Sequence, residues 1–168
     1  MKTTVLKYGS YSGIAILVLF TISFLFLTDL SFGMQEVFGY LSIFIALAFV
    51  FFGIKSYRDE QPEGKLSFGK AFGLGILIVL VPSIIFGAFN VFYVVYLNPE
   101  FYDQYYGQMI TGLSTQYSGA ELTVKITELE DMKDMASSNL FTFILMFLTV
   151  FLLGFIVSLI SAMTLRKG

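Results

Sequence analysis

Residues 41–52 read Leu-Ser-Ile-Phe-Ile-Ala-Leu-Ala-Phe-Val-Phe-Phe, and this run decides the fold class of the chain. It carries no charge, and it is apolar on every side. The strands of a membrane-spanning β-barrel would instead alternate apolar and polar residues over about ten positions. The run therefore predicts a helix, which satisfies its own backbone hydrogen bonds in lipid.

Outward from this run, the same apolar pattern recurs in three further stretches. The four predicted transmembrane helices cover residues 11–28, 37–54, 71–97 and 140–165. A helix needs about 20 apolar residues to cross the hydrocarbon core, with a usual range of about 17–25. We therefore predict an all-α protein, a single membrane domain over residues 1–168 that forms a four-transmembrane-helix bundle.

The composition supports this class and narrows the chemistry. The chain is 57% hydrophobic and only 13% charged, whereas soluble domains average about 25% charged residues. It has no Cys and no His, which removes thiolate chemistry, the commonest metal ligand and the usual general base. We expect a non-enzymatic protein with no catalytic, cofactor-binding or metal-binding residues. A net charge of −2 also argues against nucleic-acid binding.

The start of the chain resembles an export signal, because Lys2 and Lys7 precede an apolar run. A signal peptide ends in small residues that are spaced for cleavage. The residues after this run, Thr28-Asp-Leu-Ser-Phe-Gly, lack that spacing. We expect a retained first helix.

Basic residues predict the orientation of the bundle. Eight of the ten Lys and Arg residues fall on one side of it: Lys2, Lys7, Lys55, Arg58, Lys65, Lys70, Arg166 and Lys167. The positive-inside rule places this side in the cytoplasm, so both termini are expected there. The opposite side holds Asp29, Glu36 and an acid-rich segment over residues 98–139.

This segment predicts an extracytoplasmic amphipathic helical hairpin between the third and fourth membrane helices. Asn98-Pro99-Glu100 is typical of a helix start. Gly112 to Gly119 interrupts the pattern, and Ser118 with Glu121 then fits a capping box. The two apolar stripes consist of Phe101, Tyr102, Tyr105, Tyr106, Met109, Ile110 and Leu113, and of Leu122, Ile126, Leu129, Met132 and Met135.

The first stripe contains a candidate outer docking face. Tyrosine favours the boundary between membrane and water, because its ring is apolar and its hydroxyl is polar. The face is either a structural cap on the bundle or a docking surface, and the sequence leaves both open. Its residues are Phe101, Tyr102, Tyr105, Tyr106 and Met109.

A second candidate site is a basic cluster at the cytoplasmic boundary, formed by Lys55, Arg58, Lys65 and Lys70. Each basic residue near an anionic lipid surface contributes about 1 kcal/mol, so the cluster could bind a lipid head group or a phosphate. The alternative is that these are ordinary positive-inside residues, which nearby acids partly neutralise.

A third candidate is an intramembrane polar site at Ser83 and Asn90, beside Pro82. Proline removes a backbone hydrogen bond, and polar side chains in lipid face other helices or water. A transporter could build a site at such a break. The helix centres carry no charged residue, however, which argues against an ion-coupled pump.

Small residues recur one helical turn apart at Gly9 and Gly13, Gly69 and Gly73, and Gly154 and Ser158. Such pairs permit close helix approach. We expect them to pack within one bundle, and a homodimer face is the alternative.

Several segments together resemble the DUF4199 family of small integral membrane proteins from Bacteroidota. They include Leu6-Lys-Tyr-Gly-Ser-Tyr-Ser-Gly, Phe51-Phe-Gly-Ile-Lys-Ser-Tyr-Arg-Asp and Leu66-Ser-Phe-Gly-Lys-Ala-Phe-Gly-Leu-Gly. The resemblance implies a multi-pass protein of the bacterial inner membrane, with a polyprenyl-phosphate glycosyltransferase as a candidate partner. It implies no catalytic residue or cofactor.

Two functions follow as expectations. The first is an accessory or scaffold subunit that associates with itself or with another membrane protein. The alternative is a protein that binds or transports a lipid-linked or small hydrophobic substrate. Membrane lipids are expected partners in either case.

Overall fold

The computed structural model describes residues 1–27, 30 and 32–166. Within these residues the chain is all-α, as predicted. A 3₁₀ turn at Pro62–Gly64 and a π-helical turn at Tyr93–Leu97 flank the third helix. The six helices are α1 (Lys2–Phe26), α2 (Phe32–Asp59), α3 (Phe68–Phe92), α4 (Phe101–Ser114), α5 (Gly119–Ala136) and α6 (Asn139–Leu165).

Four helical segments are long and apolar enough to cross a membrane: Lys2–Phe26, Gly33–Asp59, Phe68–Leu97 and Asn139–Leu165. Large apolar side chains remain exposed along them, among them Ile14, Leu41, Phe44, Phe52, Leu152 and Ile160. Soluble monomers rarely expose contiguous apolar surface on this scale. The structure is thus that of a membrane protein whose outer apolar faces require lipid.

The helices extend beyond the apolar stretches that predicted them. α1 begins at Lys2 rather than near residue 11, and α2 ends at Asp59 rather than near residue 54. An α-helix can continue beyond the hydrocarbon core of the membrane, because its backbone hydrogen bonds are internal and do not depend on lipid. Charged side chains near its ends then reach water. Four residues named in the predictions lie outside the described residues: Thr28, Asp29, Ser31 and Lys167.

The chain divides into two compact units. The first unit comprises Met1–Phe86 and Phe147–Gly168, and the second comprises Gly87–Met146. The core of the first unit is apolar, and its largest fully buried side chains include Ile16, Leu47, Ile54, Leu74, Ile78 and Val150.

Glycine controls the contact between α3 and α6 in the first unit. A Cβ atom added to Gly75 in α3 would lie 2.8 Å from the Cβ of Ser158 in α6. Conversely, a Cβ atom added to Gly154 in α6 would collide with Val79 in α3. The two backbones therefore approach each other through small residues on both sides, as the Gly154 and Ser158 spacing predicted.

Contacts of the same kind join α3 to α1 and α2. A Cβ added to Gly9 would lie 2.8 Å from the Cβ of Val81, and a Cβ added to Gly53 would lie 2.7 Å from Cδ1 of Ile78. The prediction for Gly9 is therefore confirmed, and α3 is the helix on which the three others converge.

A buried hydroxyl also joins α1 to α2. Ser12 Oγ donates a hydrogen bond to the carbonyl oxygen of Ala46 at 2.8 Å. Because Ser12 is fully buried, this bond satisfies a polar group that would otherwise be costly to bury.

The prediction was wrong for Gly69 and Gly73. No described atom outside the local helix lies within 4 Å of a Cβ added at either position. The spacing of small residues predicts close approach only when a second helix faces that side. At these two positions the side of α3 is open.

This contrast within α3 provides a test of helix packing. We expect Gly75→Val to destabilise the protein by about 1–3 kcal/mol, because overpacking forces backbone and side-chain shifts. Gly73→Val is the matched control, because it makes the same change on the open side of the helix. Unfolding in mixed micelles, followed by circular dichroism, measures both variants. Equal losses of stability would contradict the packing.

Candidate functional site

The second unit has its own small core, where α4 and α5 pack against each other. Tyr106 on α4 is buried together with Leu129 and Ala136 on α5. The partly buried side chains around them are Tyr102, Ile110, Leu113 and Phe141. Burial of such a side chain contributes about 1.5–3 kcal/mol, so this cluster holds the two helices together.

The structure divides the predicted docking face in two. Tyr102 and Tyr106 belong to the α4/α5 core, whereas Tyr105 and Met109 are exposed at 40% and 39%. The ring of Phe101 stacks on that of Tyr105, with their centroids 6.0 Å apart. Residues four apart share one side of a helix, which separates 102 and 106 from 101, 105 and 109.

The start of α4 differs from the predicted cap. The helix begins at Phe101 with Glu100 as the N-cap residue, and no side chain caps it. Asn98 Nδ2 instead donates a hydrogen bond to the hydroxyl oxygen of Tyr93 at 3.2 Å. Asn98 is the C-cap residue of the π-helical turn, and its backbone N–H donates to the carbonyl oxygen of Tyr93 at 2.8 Å.

The start of α5 is only partly as predicted. Ser118 is the N-cap residue, but its side chain makes no capping hydrogen bond, so the capping box with Glu121 does not form. Gly119 has φ +61, a left-handed conformation that suits glycine.

The structure also corrects the prediction that the second stripe is buried along its whole length. Met132 and Met135 are more than half exposed, and Ala136 is the residue that is buried beyond Leu129. Ala136 therefore belongs to the buried side of α5, whereas both methionines lie on the surface.

A hydrogen-bonded hydroxyl pair ties α4 to the first turn of α6. Tyr102 Oη lies 2.6 Å from Thr142 Oγ1. Thr142 Oγ1 also lies 3.1 Å from the carbonyl oxygen of Ser138 and 3.2 Å from that of Ala136. Carbonyl oxygens only accept, so all groups are satisfied when Thr142 donates to a carbonyl and Tyr102 donates to Thr142.

Ion pairs add to the surface of this unit. Asp103 on α4 pairs with Lys133 on α5, and Lys125 pairs with Glu128 at 3.1 Å. The hydrogen bond that Lys133 donates to Asp103 raises the pKa of Lys133, and the one that Lys125 donates to Glu128 raises the pKa of Lys125. Burial raises the pKa of Tyr106. Each shift moves the group further from neutral pH.

A groove between α4 and α5 lies on the surface of the same unit. It has a volume of about 320 Å³, which is near the lower end of the usual range for binding pockets. We name it the methionine groove after its two exposed edges, and its principal residues are Met109, Leu113, Lys125, Glu128, Leu129 and Met132.

The sequence did not predict this groove, which forms only where the two stripes meet. The available signal was the presence of a methionine in each stripe, since flexible methionines are frequent on adaptable binding surfaces.

The basic cluster in the first unit contains two kinds of residue. Arg58 pairs with Asp59 at 2.6 Å, and Lys65 pairs with Glu63. Lys55 and Lys70 are exposed, and neither forms an ion pair with any residue that the structure describes. Their charges are therefore available to an anionic lipid head group or to another anion.

The intramembrane candidates fall in different units. Ser83 is fully buried in the first unit, and its Oγ donates to the carbonyl oxygen of Val79 at 2.8 Å. This local bond, one turn back along the helix, uses the hydroxyl proton. Asn90 lies in the second unit and is half-buried.

The two adjacent tyrosines of α4 allow a matched test of the α4/α5 core. We expect Tyr106→Ala to raise the rate of limited proteolysis of residues 101–136 by about tenfold or more, because a buried aromatic ring is lost. Tyr105→Ala removes the same atoms from an exposed position and should change the rate by about twofold at most. Similar proteolysis rates for the two variants would show that Tyr106 does not hold α4 against α5.

Comparison with known proteins identifies the family. No curated protein and no solved structure matches this chain. The model of one family, described as "Protein of unknown function (DUF4199)", matches residues 7–167. Because the match extends over nearly the whole chain, the protein belongs to the DUF4199 family.

Proposed function

We propose that this protein is a non-enzymatic accessory or scaffold subunit that associates with itself or with another membrane protein through its second unit. The methionine groove carries this proposal, because it combines exposed apolar side chains with charged residues at one place. Apolar surface of this kind on a structured unit is typical of interaction sites.

The polar groups of the structure support a role without catalysis. The buried polar side chains among the described residues are all Ser or Thr. A general acid or base works best with a pKa near the operating pH. The sequence contains no His and no Cys, the side chains that most often have such a pKa.

We also propose that both termini are cytoplasmic in a bacterial inner membrane and that α4 and α5 lie on the outer side as a helical hairpin. Four crossings would return the chain to the side on which it began, in agreement with the basic residues near both ends. The segment over residues 98–139 is acidic, as the outer side permits.

A polyprenyl-phosphate glycosyltransferase is the candidate partner. This candidate rests on the family resemblance. Such an enzyme would lie in the same membrane, where the second unit could reach its outer surface.

Lipid contact is a secondary proposal for the first unit. Lys55 and Lys70 are exposed and have no ion pair among the described residues, so they could contact anionic head groups at the inner surface. Binding or transport of a lipid-linked substrate receives less support, because the hydroxyl of Ser83 is buried and bonded to its own helix.

Native mass spectrometry of the protein, released from membranes of its own host in mild detergent, distinguishes these proposals. The accessory role predicts species heavier than the 18.8 kDa chain that contain a second copy or a partner protein. A monomer that retains a lipid-linked molecule would favour the alternative. A bare monomer would contradict both.

A further inference from the structure

We infer that one side of α4 binds the boundary between water and the phospholipid bilayer, so that α4 is an interfacial membrane helix. We call this side the aromatic face, and its residues are Phe101 and Tyr105. The inference goes beyond the proposed function, because it assigns a lipid partner to the second unit itself. It depends neither on a partner protein nor on which side of the membrane α4 occupies.

The aromatic face is continuous with a helix that is able to cross the membrane. Phe101 follows the apolar segment Phe68–Leu97 after three intervening residues. The ring centroid of Tyr93, near the end of this segment, lies 5.8 Å from that of Phe101, and Phe101 in turn stacks on Tyr105. Contacting aromatic rings therefore lead from the last turns of a membrane helix onto α4.

A second membrane helix fixes the position of the first two turns of α4. Tyr102 Oη lies 2.6 Å from Thr142 Oγ1, and Phe141 packs against the core that contains Tyr106. Both of these α6 residues belong to its first turn, where the apolar segment Asn139–Leu165 begins. At a rise of about 1.5 Å per residue, Thr142 lies only about 5 Å inside that segment. The start of α4 is therefore held beside the end of a membrane helix and does not extend freely into water.

Helical geometry turns the aromatic face away from the α4/α5 core. Tyr102 and Tyr106 contribute to that core. Phe101 and Tyr105 each come one residue earlier, which rotates them by about 100° around the helix axis. Tyr105 is 40% exposed, and Tyr96 in the preceding π-helical turn is 72% exposed. Aromatic surface is thus left uncovered at the depth where a membrane helix ends.

The charges of the two helices show which of them suits a lipid surface. Over residues 101–114, α4 has Asp103 as its one charged residue, and Asp103 is paired with Lys133. A helix with so little charge enters the head-group region at low desolvation cost. In contrast, α5 carries seven charged residues, which favour water: Glu121, Lys125, Glu128, Glu130, Asp131, Lys133 and Asp134.

The side chains of the aromatic face match the chemistry of this boundary. The rings of Phe101 and Tyr105 are apolar and suit the upper part of the acyl chains, while the Tyr105 hydroxyl can donate to ester or phosphate oxygens. The exposed acid Glu100 directly precedes the face. Because this acid repels anionic lipid, we expect zwitterionic phospholipid to be the favoured partner.

The test measures the depth of single positions in the membrane. The chain contains no tryptophan, so one introduced tryptophan gives an unambiguous fluorescence signal. Full-length Tyr105→Trp is placed in nanodiscs of phosphatidylcholine, either unmodified or brominated on the upper part of the acyl chains. Bromine quenches tryptophan only at close contact. We expect Tyr105→Trp to lose at least about half of its fluorescence in the brominated nanodiscs, because its ring lies among the lipids.

Two control variants calibrate this measurement. Val124→Trp reports an exposed position on α5, and Leu152→Trp reports an exposed position on the membrane-spanning α6. We expect Leu152→Trp to be quenched by bromine, and Val124→Trp to lose about one tenth of its fluorescence at most. Aqueous iodide should quench Val124→Trp at least about threefold more strongly than Tyr105→Trp. Phe101→Trp tests the same face if circular dichroism shows that Tyr105→Trp has lost its helices.

Two results would overturn the inference. Strong quenching of Tyr105→Trp by iodide, with none by bromine, would place the aromatic face in water. Protection of Tyr105→Trp from both quenchers would show that protein covers the face, whether another part of this chain or a second copy.

The outcome is separable from that of the proposed accessory role. A bare monomer in native mass spectrometry, combined with bromine quenching of Tyr105→Trp, would retain the interfacial helix and contradict the accessory role. A partner complex combined with an iodide-accessible Tyr105→Trp would retain the accessory role and reject the interfacial helix.

Discussion

Close contact of three helices with α3 is the constraint on which the first unit depends. Lipid provides no hydrophobic force between apolar helices, so their association depends on close packing and a few internal hydrogen bonds. That packing comes from three close contacts: Gly75 with Ser158, Gly154 with Val79, and Gly9 with Val81. A larger side chain at any of these glycines would separate helix backbones, whereas most outward positions can vary among apolar residues.

The second unit is held together in a different way. Tyr106 and Leu129 form a small core of the kind found in water-soluble helix pairs, and the Tyr102 to Thr142 hydrogen bond fixes α4 to the start of α6. Two short helices leave part of their apolar surface uncovered, because a core of this size cannot enclose both stripes. The methionine groove is that uncovered part, and it connects the architecture of this unit to the proposed docking role.

Some of this could be predicted from the sequence. The four uncharged stretches predicted the membrane-spanning helices, because length and apolarity are sufficient criteria in lipid. Which glycines make contacts was not predictable, since Gly73 and Gly75 differ only in the side of α3 that faces a neighbour. The five residues of the predicted docking face do not share one side of α4, because helical rotation places Tyr105 and Tyr106 on different sides. The role of Asn98 depended on the π-helical turn, which the sequence pattern did not indicate.

We propose that α4 and α5 are on the outer side of the membrane and that the loop between α2 and α3 is cytoplasmic, and this topology is the central claim. Because the chain has no cysteine, single-cysteine variants at Glu60 and Thr115 give a clean measurement. Intact spheroplasts are treated with a membrane-impermeant thiol reagent, and lysed membranes provide the reference for total reactivity. The account predicts labelling of Thr115→Cys in intact cells and of Glu60→Cys only after lysis. Labelling of Glu60→Cys but not of Thr115→Cys in intact cells would contradict it.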